Sequence, residues 1–266
     1  MSSHLDPHQD CDSNDNAFEL VRPPDLHLRG RFEDVGGPVA VFLHGFRSDS
    51  RGLKASTLRL RAREQGRSWL ALDLRGHGFS DGTFSALRIS TLLADVEAVL
   101  DWLAPRPVVL VGSSLGGWLA VLAARSRPQQ VLGQLLIAPA FNFIQQDFGR
   151  LPESLLVQWR AQGLRSFPGR YGGPSYSLEY ALLDDARRCD AWQPLLPFGG
   201  PVAIVHGTAD EFVPFAQSEA FLLALSAPQK RLAPVAGGDH RLGSGLEVLR
   251  ENLDWVWEHL SPATET

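Results

Sequence analysis

The chain has 266 residues, 44% of them hydrophobic, and a formal net charge of -5, which suits one large α/β domain with a buried core and a small insertion. The acidic balance and the lack of any basic block argue against a nucleic-acid-binding surface. No apolar run approaches the roughly 20 residues that a membrane helix needs, so no membrane span is expected. The two cysteines, Cys11 and Cys189, sit in a polar segment and beside a charged helix, and they form neither a disulfide framework nor a zinc pattern. Composition sets no oligomeric state.

Residues 1–16 are polar and acidic, unlike a signal or transit peptide, and are expected to form a disordered tail on a cytoplasmic protein. Phe18 to Val35 then reads as two strands joined through Pro23-Pro24. Pro38 to Leu43 is a buried strand, Leu53 to Gln65 a helix, Trp69 to Leu72 a strand and Ile89 to Leu103 a helix. Pro107 to Val111 and Val131 to Ala138 are further strands. Beyond residue 140 the alternation lapses for about 60 residues, in which Pro152 to Gln162 and Ser177 to Arg188 have helical spacing. It resumes with strands at Pro201 to Val205 and Lys230 to Val235, and ends in a helix from Gly245 to Leu260. Nearly all-apolar strands alternating with helices predict a mostly parallel, eight-stranded sheet with helices on both faces. The expected organisation is a core of residues 17–140 and 201–262 carrying a small cap at 141–200. Ligands of such sheets bind at the carboxyl ends of the strands.

The run Val108-Val109-Leu110-Val111-Gly112-Ser113-Ser114-Leu115-Gly116-Gly117-Trp118 is a strand that breaks into Gly-x-Ser-x-Gly and continues as a helix. That context makes it a nucleophile elbow, a strained turn that exposes the Ser114 hydroxyl at the sheet edge. A serine hydroxyl needs an adjacent base, itself oriented by a carboxylate, and in this architecture the chain order is serine, acid, histidine. Among the histidines beyond an acid, His240 follows a strand in Gly237-Gly238-Asp239-His240, whereas His259 lies near the chain end on a polar helix face. His240 is therefore the expected general base. Asp210, after the strand that ends at Val205, is the expected acid. Glu211 should point elsewhere, and Asp239 is too close in sequence to reach the His240 ring. A tetrahedral intermediate needs two backbone N–H donors, for which Leu115 and Phe46 are the candidates. His44, His77 and His206 read as histidines that serve their own turns.

The spaced set His44-Gly45, Asp73-x-Arg75-Gly76-His77-Gly78-x-Ser80, Gly112-Ser113-Ser114-Leu115-Gly116-Gly117, His206-Gly207-x-x-Asp210 and Gly238-Asp239-His240 resembles the α/β-hydrolase superfamily from about Phe18 to Leu260. Within it, Ser48-Asp49-x-x-Gly52-x-Lys54 and Ser80-Asp81-Gly82-x-Phe84 are similar to a branch containing a mitochondrial palmitoyl-protein thioesterase, also described as an acyl-glucuronide esterase. The resemblance implies a serine hydrolase of acyl esters or thioesters, with no metal or organic cofactor, acting on a small-molecule or acylated-protein substrate. S-depalmitoylation and acyl-glucuronide hydrolysis are the activities it brings to mind. The acidic N-terminus departs from a mitochondrial precursor and suggests a bacterial cytoplasmic relative.

In the cap, Phe141, Phe143, Leu155 and Trp159 are the candidate acyl-binding residues, among aromatics that could equally pack the cap onto the sheet. Arg160, Arg165 and Arg170 either steer an acidic leaving group or form a solvated face. Carbon–carbon hydrolysis or perhydrolysis on the same three residues, and a non-catalytic ligand-binding role, are the competing functions.

Overall fold

In the computed structural model, the described residues are 16–169, 173–192 and 197–260. The tail expected over residues 1–16 lies, but for Asn16, outside them. The described residues open with a hairpin, β1 (Ala17–Arg22) and β2 (Leu26–Glu33), followed by β3 (Val39–Leu43), α1 (Leu53–Glu64), β4 (Ser68–Leu72) and α2 (Ile89–Leu103). Next come β5 (Val108–Ser113), α3 (Leu115–Ser126) and β6 (Val131–Ile137). After an intervening segment, β9 (Val202–Gly207), α6 (Phe215–Ala224), β10 (Lys230–Val235) and α7 (Leu246–Glu258) complete the fold. Among the described residues the main sheet has eight strands, in the order β1-β2-β4-β3-β5-β6-β9-β10. The two pairings made by β2 are antiparallel, and every pairing from β4 to β10 is parallel.

The inner parallel strands look almost continuously apolar because both of their faces are covered, whereas the edge strand β10 exposes Lys230 and Pro234. On β5, Val108 and Leu110 enter the core shared with α2 and α3, while Val109 and Val111 enter the core shared with α1 and α7. This alternation is the two-residue period of a strand, hidden in sequence because neither face meets water. No helix among the described residues is long and apolar enough to cross a membrane.

Between the sixth and ninth strands lie α4 (Glu153–Gln162), β7 (Leu164–Phe167), β8 (Tyr176–Glu179) and α5 (Ala181–Ala186). The strands β7 and β8 form their own antiparallel pair. The helix expected from Ser177 to Arg188 is thus half wrong: its first part is β8, and only its second is helical. The reason is local, since Leu178 turns into the core as one residue of a strand and is fully buried. β7 and α6 are further elements that the sequence did not disclose, α6 because its inward face amounts to Ser218 and Phe221.

Candidate active site

Ser114 stands between β5 and α3 at φ 54 and ψ -113, a left-handed conformation that a non-glycine residue adopts only when its surroundings impose it. The surroundings here are two close backbone approaches. A Cβ on Gly116 would lie 1.9 Å from the Leu43 carbonyl oxygen, and one on Gly112 would lie 2.3 Å from the Gly116 carbonyl oxygen. Glycine at both positions lets the helix pack hard against the strand ends and drives the serine outward.

His240 Nε2 lies 3.0 Å from Ser114 Oγ, and His240 Nδ1 lies 2.7 Å from Asp210 Oδ2. The carboxylate at Nδ1 fixes the ring proton there, so Nε2 is left to accept from the serine hydroxyl. The Asp210 side chain is fully buried and that of His240 is mostly so. Burial pushes the Asp210 carboxyl up, but hydrogen bonds from His206, His240 and the Val213 amide outweigh it and hold the group well below the usual carboxylate range. Asp239 is exposed and accepts from the Leu242 amide at 2.9 Å, so it shapes the turn and does not face the ring.

The loop after β3 carries Phe46, which lines the site, and Gly45, where a Cβ would approach Ser114 Cβ to 3.2 Å. Leu115 is the first residue of α3, so its amide points from a helix N-terminus beside Ser114. His44 and His77 fasten this loop. The Leu74 amide donates to His44 Nε2 at 3.0 Å, leaving Nδ1–H to donate to the Gly45 carbonyl at 2.8 Å. The Arg47 amide donates to His77 Nε2 at 3.3 Å, and His77 Nδ1–H donates to the Arg75 carbonyl at 3.1 Å. Beneath them, the buried Asp73 carboxylate accepts from the amides of Ser50 and Phe79. Most of the Asp73 to Ser80 motif therefore serves loop construction.

Ser114 opens into a cavity of about 610 Å³, within the range of small-molecule sites. Its apolar wall includes Phe46, Phe143, Phe148, Tyr176, Phe212 and Val213. Of the four candidate acyl contacts, only Phe143 lines it. Phe141 is fully buried against Phe221, with ring centroids 4.2 Å apart. Trp159 is fully buried among Phe148, Phe167 and Tyr180, and its indole N–H donates to the Leu178 carbonyl at 2.8 Å. Leu155 is half-buried away from the cavity.

Arg160 and Arg165 also lie away from it, over the rings of Tyr180 and Phe167, and Arg170 falls outside the described residues. Arg47, Lys54 and Arg241 line the cavity instead. Lys54 Nζ donates to the Arg241 carbonyl at 3.3 Å, and burial pulls its ammonium down to about 8 against the attraction of Asp239 and Asp210. His206, read from sequence as a turn histidine, contacts Asp210 Oδ2 at 3.0 Å.

The sequence profile of the alpha/beta hydrolase family matches residues 40–248. The chain is 31% identical to the mitochondrial palmitoyl-protein thioesterase ABHD10 of Rattus norvegicus over 230 residues, covering 85% of this chain and 77% of that protein. It is 31% identical to the human ABHD10 protein over 206 residues, covering 75% and 66%. Among solved structures, mouse alpha/beta hydrolase domain-containing protein 10 superposes with a TM-score of 0.82 at 27% identity, covering 91% of this chain and 98% of that one. A putative hydrolase from Agrobacterium vitis superposes equally well, at 28% identity over 90% and 97%. These relatives correct the expected cytoplasmic location, because the curated ABHD10 proteins are mitochondrial. An acidic N-terminus and two cysteines are too weak a basis for assigning a compartment. A match running from the third strand into the last helix, together with relatives at this identity along most of the chain, makes this protein a hydrolase of the alpha/beta hydrolase family.

Proposed function

We propose that this chain hydrolyses carboxylic esters or thioesters of acyl substrates through an acyl-Ser114 intermediate. The observation that carries the proposal is the unbroken hydrogen-bond chain from Asp210 through His240 to Ser114, ending at an apolar cavity. Ser114 Oγ attacks the acyl carbonyl carbon while its proton passes to His240 Nε2. The amides of Phe46 and Leu115 hold the oxyanion. His240 then gives the proton to the departing alcohol or thiol, and the C–O or C–S bond breaks. Water, activated by the same imidazole, releases the carboxylic acid and restores the serine. As written, the reaction uses these side chains and water alone.

Residues 141–200 act in this reading as a cap, with Phe143, Phe148 and Tyr176 facing the acyl group. Each methylene buried there contributes about 0.8 kcal/mol. Similarity to enzymes named palmitoyl-protein thioesterase supports long acyl chains, on a small molecule or a protein cysteine, as the substrate class. The test is hydrolysis of p-nitrophenyl esters from acetyl to palmitoyl, with Ser114→Ala as the blank. The proposal requires activity that rises with chain length and is lost by on the order of 10⁴-fold in the variant. A loss below about tenfold in Ser114→Ala would sink it.

A further inference from the structure

Among the described residues, His206 is the one side chain hydrogen-bonded to Asp210 that the proposed reaction leaves unused. It lies near the end of β9 and is fully buried, as is Ser218 on α6. Its Nε2 is 3.0 Å from Asp210 Oδ2 and 3.1 Å from the Val213 carbonyl oxygen, and its Nδ1 is 2.7 Å from Ser218 Oγ. Two acceptors facing Nε2 leave no room for a lone pair, so the ring proton sits there. Nδ1 is then the acceptor, and the Ser218 hydroxyl donates to it.

Asp210 Oδ2 is consequently shared by two imidazoles, with His240 at 2.7 Å and His206 at 3.0 Å. Its other oxygen accepts from the amides of Phe212 and Val213, both at 2.9 Å. Those amides belong to the same loop as Asp210 and move with it. His206 ties the carboxylate to the sheet, and through Ser218 to α6. From this geometry we infer that His206 is a positioning residue: its Nε2–H fixes Asp210 Oδ2 where the His240 Nδ1–H must find it, and Ser218 holds the ring that does so. The inference rests on the reading of Ser114, His240 and Asp210 given above.

A histidine that only filled space would rank two substitutions in the opposite order. His206→Phe keeps a ring of similar size and removes the donor. His206→Gln gives up the ring but keeps an amide N–H for Asp210 and an oxygen for the Ser218 hydroxyl. Positioning predicts that His206→Phe lowers kcat roughly tenfold or more, with KM within about twofold, and that His206→Gln recovers most of the loss. Nitrogen-15 NMR of histidine-labelled protein gives a readout independent of turnover. The wild-type spectrum should place the His206 proton on Nε2 and the His240 proton on Nδ1, and His206→Phe should mix the His240 tautomers.

A His206→Phe enzyme as active as His206→Gln overturns the inference, as does a wild-type His206 proton on Nδ1. The wild-type spectrum decides even if His206→Phe does not fold. The NMR arm also separates this inference from the proposed function: loss of the ester-hydrolysis reading would leave the tautomers measurable.

Discussion

His77 makes the stability of this protein depend on pH in a way that its neighbours quantify. The ring is buried, and its Nε2 is needed as an acceptor for the Arg47 amide. The His44 ring centroid is 4.9 Å away. Burial, with the His44 charge acting in the same direction, lowers the pKa of His77 from 6.5 to about 4. Between those values the unfolded chain binds a proton that the folded protein refuses. Stability therefore falls as pH falls through that window and, for this group, levels off below it. At 1.36 kcal/mol per pH unit, the window is worth on the order of 3 kcal/mol. His44, lowered by burial, contributes in the same sense. His77→Gln keeps an acceptor for Arg47 and removes the titrating ring. Urea denaturation of both proteins at intervals from about pH 7 to pH 4 should show the wild-type advantage shrinking by about 3 kcal/mol. A difference that stays constant across the range would refute the reasoning.

The remaining predictions concern the site and its frame. Asp210→Asn should fold, since an amide oxygen can still accept from Phe212 and Val213, yet lose about 10⁴-fold in kcat by stabilising the wrong His240 tautomer. Wild-type turnover in the folded variant would show that another group orients the histidine. Trp159→Ala should destabilise by about 3–5 kcal/mol in denaturant titrations, because it empties the middle of a buried aromatic cluster. Phe143→Ala should instead cost kcat/KM on long acyl esters more than on acetyl esters, and equal losses on both would remove Phe143 from the acyl wall. Gly116→Ala should abolish stable folding or activity, because its Cβ meets the Leu43 carbonyl at 1.9 Å; unchanged melting and turnover would contradict the elbow geometry.

Sequence reveals most where one physical requirement dominates a segment. Strands buried on both faces can hold little but apolar residues, so β3, β4 and β5 are plain, and α2 has the expected limits Ile89 to Leu103. The elbow is equally plain, because the packing that exposes Ser114 forbids a side chain at Gly112 and Gly116. Direction is harder to read. Phe141, Phe143 and Trp159 have similar apolar character, and only the path of the chain decides that the second faces the cavity while the others face the core. The cavity residues Phe212 and Arg241 are neighbours of Asp210 and His240, so closeness in sequence to those two could have flagged them. The role of His206 was hidden for a different reason. Its Ser218 partner sits on α6, the helix whose weak apolar face left it unseen.

The most direct test of the central claim is to treat the protein with a fluorophosphonate and map the modified peptide by mass spectrometry. Nucleophilic catalysis by Ser114 predicts one adduct per chain, on the peptide carrying Ser113 and Ser114, with fragmentation assigning it to Ser114. Labelling should be abolished in Ser114→Ala and strongly slowed in His240→Ala. Stoichiometric labelling of another serine, or a folded wild-type protein that reacts no faster than Ser114→Ala, would contradict the claim that Ser114 is the activated nucleophile.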